Sequence, residues 1–298
     1  MRTLRTIAEL RAALAQPRRE GARIGLVPTM GAFHEGHLSL MRRARADCDV
    51  VVVSLFVNPA QFDDGGEVAI YPRDEASDAL LAAQTGVNHL FAPSVGEVYP
   101  DGFTTTVTVS RLGEVLEGAV RGAAHFDAVA TMVTKLLNMV GPDTAYFGQK
   151  DVQQLLVIRR LVRDLNLPVL IEACPTVRDA DGLALSSRNV GLSAAERGRA
   201  TSLHRALSTT GERVQAGERD AALLAAEARA LLDAAGVATE YFQIVNRETL
   251  APVQTLDSPA LAVVAARVGS TRLIDNQPLP TANGGALAAG STKGLHRP

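Results

Sequence analysis

The run Val50-Val51-Val52-Val53-Ser54-Leu55-Phe56 constrains the fold more than any other stretch of the chain. Successive β-branched residues favour extended backbone. A strand with one solvated face alternates apolar and polar residues, and this run does not. It therefore reads as a strand buried on both faces, the condition of an interior strand in a parallel sheet. Parallel neighbours need crossover connections, usually helices, and the surrounding sequence supplies them. Ile24-Gly25-Leu26-Val27 reads as an earlier strand, with helical spacing from Leu38 onward. A helix follows over 74–85, a short strand at 89–92, a helix over 128–140, a strand at 144–147, a helix over 152–165 and a strand at 169–173. An amphipathic helix over 3–15 precedes them, with Leu4, Ile7, Leu10 and Leu14 on one face, and 104–109 is a strand or an extended loop. Alternation of this kind predicts an α/β fold, a doubly wound parallel sheet. Ligands bind such sheets at the carboxyl ends of the strands.

The pattern changes after residue 175. Residues 193–216 read as one long helix, opened by Ser193 with Glu196 three positions on. A second helix spans 220–235, and strands at 239–245 and 260–268 complete a smaller α+β unit. Residues 281–298 are rich in Gly, Ala and Ser, have little to bury, and are expected to form a disordered tail.

At 298 residues with a net charge of −2, the chain has no global electrostatic reason to bind nucleic acid or an anionic membrane. No apolar run is as long as a membrane span and the N-terminus lacks a signal-peptide core, so a cytoplasmic protein is expected. Cys48 and Cys174 are too few for a disulfide framework and read as buried thiols.

The chemistry concentrates at strand ends. Pro28-Thr-Met-Gly-Ala-Phe-His-Glu-Gly-His37 joins the first apolar strand to a helix. Gly31 and Gly36 permit a sharp turn and close approach. Free amides at the new helix's N-terminus favour an anion, and His34 and His37 share one side of the turn. A phosphate site is the reading favoured by that combination. Two His can also ligate a metal, but no third ligand stands at a fixed offset. Asn58-Pro59-Ala60-Gln61 follows the Val-rich strand; its amides can meet a carboxylate or hydroxyl, or simply form a turn. In Gly148-Gln149-Lys150-Asp151, Lys150 suits a phosphate, while Asp151 suits ribose hydroxyls or a helix cap. Leu185-Ser186-Ser187-Arg188 offers two hydroxyls and a guanidinium to polyphosphate oxygens, or forms a surface loop.

His-x-Gly-His after a buried strand resembles the signature of the nucleotidyltransferase superfamily, which includes the class I aminoacyl-tRNA synthetases. The longer string, with the other motifs in order and spacing over about residues 3–280, resembles the pantothenate synthetase (pantoate–β-alanine ligase) family. The resemblance also covers Val177 to Gly182 and Ala265 to Asn276. It implies a Rossmann-like domain over 1–175 that binds ATP and pantoate, with a lid domain over 176–280. It implies that Met30, Gly31, Ala32, Phe33, His34, Glu35, Gly36 and His37 hold ATP together with Gly148, Gln149, Lys150, Asp151, Val177, Leu185, Ser186, Ser187 and Arg188. His37 would be the catalytic acid, helped by His34, Lys150 and Arg188. Gln61 and Gln154 would contact pantoate, Gln61 also β-alanine, with Asn58 and Tyr71 near the acceptor amine. ATP would enter as co-substrate with Mg2+ on its phosphates and no dedicated protein cage. The chain would work as a homodimer. One segment departs from the family: the Pro of an Arg-Pro-x-His run is absent, and one extra residue separates Arg121 from His125, so which of them lines the pocket is left open. The nearest alternative is another adenylyltransferase of the superfamily; the Gln61/Gln154 pair and the second domain stand against it.

Overall fold

The computed structural model describes residues 1–62, 71 and 73–280. The chain divides into one unit of residues 1–178 with 185–187, and a second of 179–184 with 188 onward.

In the first unit β1 (Arg2–Leu4), β2 (Ile24–Thr29), β3 (Val50–Leu55), β4 (His89–Phe91), β5 (Thr144–Gly148) and β6 (Leu170–Cys174) form one sheet in the order β1-β4-β3-β2-β5-β6. Every pairing is parallel. From β2 the chain builds outward through β3 and then returns to β5 on β2's other side, which puts the topological switch point between β2 and β5. Val51, Val52 and Val53 are fully buried, as their unbroken apolar run requires. The helices are α1 (Ile7–Arg19), α2 (Glu35–Asp47), α3 (Glu75–Gln84), α4 (Val95–Val98), α5 (Glu117–Arg121), α6 (Ala123–Val140) and α7 (Val152–Asp164). Leu40, Met41 and Ala44 of α2 pack with Val27, Val51, Val53, Leu90 and Tyr146. Its other face is charged, carrying the ion pairs Arg42–Glu35 and Arg43–Asp47. Burying Leu40 and Met41 contributes roughly 1.5–3 kcal/mol each, and this anchors the helix whose first turn carries both histidines.

In the second unit α8 (Ala194–Ala200), α9 (Ser202–Gln215) and α10 (Ala221–Ala234) precede β7 (Ala238–Asn246), β8 (Ala260–Val268) and β9 (Thr271–Leu279). The strands form an antiparallel sheet in sequence order. Its core joins Leu203, Leu207, Leu224 and Leu232 to Phe242, Ala262, Val264 and Ala266.

Four element expectations are corrected. Arg2–Leu4 pairs with β4, so the first helix begins at Ile7, capped by Thr6 and Glu9. The helix of 128–140 begins at Ala123. The long helix of 193–216 is divided at Thr201, where the hydroxyls of Thr201 and Ser202 bond back to the carbonyls of Gly198 and Arg199, a habit that bends helices. The sheet also gains β9, concealed by Asp275, Asn276 and Gln277, residues poor in strand propensity. Residues 104–109 form no strand. The expected tail at 281–298 lies outside the described residues.

Candidate active site

The chain leaves β2 at Thr29 and turns through Gly31 (φ +91°) and Ala32 (φ +52°). Gly31 is required twice over. Its backbone favours glycine, and a Cβ there would stand 2.7 Å from Leu55 Cδ1 and 2.9 Å from Asp78 Oδ2. Asp78, on α3 and only 3% exposed, accepts hydrogen bonds from the amides of Ala32 at 2.9 Å and Phe33 at 2.7 Å.

His34 then caps α2. Its Nδ1 accepts from the Gly36 amide at 3.1 Å, and its own amide points at His37 Nδ1 at 3.4 Å, a reciprocal cap with histidine in both roles. Neutral imidazoles that accept at Nδ1 carry their proton on Nε2. Each ring therefore carries an Nε2–H donor. The ring centroids are 4.2 Å apart. Burial, then the proximity of His34, then that of Lys150, hold the His37 pKa down to about 3. Loss of water is the largest cause of that depression, ahead of the neighbouring groups. Of the amides at this helix start, that of Gly36 is engaged by His34, and Asp78 takes the amides of Ala32 and Phe33 just before the helix. This turn presents imidazole N–H to a ligand.

Across the switch point, β5 ends at Gly148 and a short 3-10 turn, Gln149–Asp151, leads into α7. The Lys150 side chain is 16% exposed, with Nζ 3.9 Å from Asp151 Oδ1. Asp151 gives α7 no side-chain cap. The Leu185 amide donates to the Val177 carbonyl at 3.0 Å, and Leu185 Cβ lies 3.8 Å from the position a Gly36 Cβ would take. Ser186 and Ser187 are half-buried in the first unit; Arg188 is exposed and belongs to the second.

At the end of β3, Asn58 is wholly buried. It accepts from the Ala60 amide and from the Tyr99 hydroxyl, and donates to the Ala128 carbonyl. It shapes the Pro59–Gln61 turn that presents the half-buried Gln61. His125 Nδ1 donates to the Gln61 carbonyl at 3.1 Å, and Arg121 Nη1 is 3.3 Å from that same ring nitrogen. His125 thus reaches the Gln61 turn despite the altered spacing, and Arg121 lies against the His125 ring. Tyr71 stacks edge-on against Phe62, next to Gln61 in sequence. Gln154 is half-buried on the first turn of α7. Asp78, Tyr99 and Gln153 were missed by sequence reasoning. Gln153 is buried and bonds the carbonyls of Leu112 and Val115 and the amide of Glu117.

Among the described residues no group of three or more His, Cys, Asp or Glu side chains is placed to hold a metal ion, and no helix is long and apolar enough to cross a membrane.

A doubly wound sheet whose switch point carries a paired-imidazole helix start on one strand and a lysine turn on the next has the form of a nucleotide-binding α/β enzyme. The comparisons narrow that class, and the chain belongs to the pantoate–β-alanine ligase family. The profile of the family described as Pantoate-beta-alanine ligase matches residues 2–278. The pantothenate synthetase of Chelativorans sp. (strain BNC1) is 54% identical over 92% of this chain and 96% of its own. That of Heliobacterium modesticaldum is 53% identical over 93% and 98%. The crystal structure of pantothenate synthetase from Thermus thermophilus superposes with a TM-score of 0.89 at 48% identity, covering 94% of this chain and all (100%) of that one. The pantoate-beta-alanine ligase of Francisella tularensis, complexed with beta-gamma ATP and β-alanine, gives 0.76 at 31% identity over 93% and 97%.

Proposed function

We propose that this chain condenses (R)-pantoate with β-alanine at the expense of ATP, through pantoyl adenylate, releasing AMP and pyrophosphate. The observation that carries the reading is the pair of Nε2–H donors at His34 and His37 after β2, within electrostatic range of Lys150 after β5. A carboxylate is a poor electrophile. Attack of the pantoate carboxylate on the α-phosphorus makes the mixed anhydride and expels pyrophosphate; the β-alanine amine then attacks the acyl carbon and expels AMP. In the first step donors must meet charge building on the phosphates. His37, His34 and Lys150 are assigned that task, with Ser186, Ser187 and Arg188 completing it. The segment Met30–Gly36, together with Gly148, Gln149, Asp151, Val177 and Leu185, is assigned to the nucleotide. Gln61, Gln154 and Tyr71 meet the acid and the amine, and Asn58 acts by fixing the Gln61 turn. Mg2+ arrives on ATP as part of the substrate.

The chain crosses between its two units on either side of Leu185–Ser187, and this supports assigning the smaller unit as a lid. The family resemblance supports a homodimer in the cytoplasm; a monomer mass by light scattering would overturn the dimer. The family match disfavours an adenylyltransferase with a stable nucleotidyl product. The deciding experiment is ATP–pyrophosphate exchange with and without pantoate, with nucleotide products resolved. Pantoate-dependent exchange and AMP are expected. ADP and inorganic phosphate as stoichiometric products would sink the mechanism.

A further inference from the structure

Asp78 is a carboxylate in the first unit to which the chemistry above assigns nothing, and it is 3% exposed. It sits on α3, in sequence far from the histidine turn that it touches. A buried carboxylate is costly unless hydrogen bonds satisfy it. Here the partners are two successive backbone amides, Ala32 to Oδ2 at 2.9 Å and Phe33 to Oδ1 at 2.7 Å, distances of charge-assisted bonds. The first donor belongs to a non-glycine residue in left-handed backbone, φ +52°. That conformation is disfavoured for an alanine, and it persists only where the surroundings over-determine it. Gly31, just before, leaves space that a Cβ would take from the same carboxylate. His34 follows Phe33 directly and opens the helix.

We propose that Asp78 is the positioning residue of this site: its carboxylate holds the Ala32–Phe33 bend and thereby sets where the His34 and His37 imidazoles meet the nucleotide. Asp78 does not touch substrate; it acts through the turn. The inference rests on the reading of that turn as the ATP site, and wild-type pantoate-dependent exchange tests that reading separately.

The test uses the full chain. Asp78→Asn keeps the shape but turns an amide NH2 toward one of the two backbone N–H groups, so one bond is lost. Misplacing a reacting group by about 1 Å costs about 10²-fold, so kcat/KM for ATP should fall by tenfold to a hundredfold while KM for pantoate is nearly unchanged. Amide exchange of Ala32 and Phe33 should accelerate, with little change at Leu40 and Met41. Ala32→Gly removes the backbone cost that the carboxylate opposes. The loss caused by Asp78→Asn should therefore be smaller in the Ala32→Gly background than in wild type, a coupling read by a double-mutant cycle. Equal losses in both backgrounds, or uniform loss of exchange protection and of every kinetic parameter, would overturn the proposal. If Asp78→Asn does not fold, Asp78→Glu, which keeps the charge with one extra methylene, is measured in the same cycle, and additivity there is equally fatal.

Discussion

The turn after β2 and the turn after β5 flank the same switch point and are held in different ways. The first is braced by side chains: Asp78 takes two amides, His34 takes a third, and both Gly31 and Ala32 lie in left-handed backbone. The second has ordinary backbone at Gly148 (φ −76°), nothing within 4 Å of a Cβ there, and no side-chain cap from Asp151. A directional donor such as imidazole loses its function when tilted, and so needs bracing. An ammonium on a long stem is a point charge that finds its partner. The physical lesson is that the rigidity of each turn matches the geometry its side chain must keep.

The largest expected effect falls on the braced turn. His37→Ala should lower kcat roughly 10²–10³-fold, the loss for one transition-state donor, while ATP affinity measured by calorimetry changes far less. Retained kcat with lost affinity would reassign His37 to ground-state binding. His37→Gln, which keeps a neutral donor, should fall between. On the other turn, Lys150→Ala should cost about 10²-fold, expressed partly in KM for ATP, because a point charge serves bound substrate as well as the transition state. An identical kcat-to-KM partition in the two variants would erase the contrast.

Stability sharpens the comparison further. Gly31→Ala must strain the backbone and displace Leu55 or Asp78, for a loss of about 2 kcal/mol or more in urea unfolding. Gly148→Ala meets open space at a permitted φ, and its change should stay within about 0.5 kcal/mol. Similar losses at the two glycines would mean the second turn is braced as well.

A smaller effect appears with pH. The folded His37 pKa of about 3 lies below its ordinary value of 6.5. Above 6.5 both folded and unfolded forms are neutral there and the residue contributes no pH dependence. Below it the unfolded chain takes a proton that the folded ligand-free site refuses, so stability falls as pH drops toward 3. The slope is at most about 1.4 kcal/mol per pH unit, and partial solvent contact lowers it. Wild type should lose stability relative to His37→Gln between about pH 7 and about pH 5. Parallel curves would return the imidazole to an ordinary, solvated environment.

How much of this could be read in advance depends on the reach of each signal. The buried run at Val51–Val53 announced the parallel sheet, because burial on both faces leaves its mark on consecutive residues. The spacing of His34 and His37 announced their proximity, since three residues is nearly one helical turn. Arg2–Leu4 did not announce itself as a strand: three residues on a sheet edge carry too little periodicity to outweigh the helical pattern that follows. β9 was hidden because its polar residues are tolerated through tertiary partners and not through local propensity. Arg121 and His125 could be found as candidates but not placed, because an inserted residue shifts helical phase in a way only the folded α5–α6 corner resolves.

The sequence by itself determined what depends on neighbours along the chain: the alternation of strands and helices, the change to α+β after residue 175, and the identity and local spacing of the histidines, Lys150 and Gln61. The tertiary structure alone decided that β2 and β5 lie side by side, that Asp78 takes the Ala32 and Phe33 amides, and that burial more than charge keeps His37 neutral. Hydrogen-bond partners and desolvation are set by groups brought together across tens of residues, and no period in the chain encodes such a meeting.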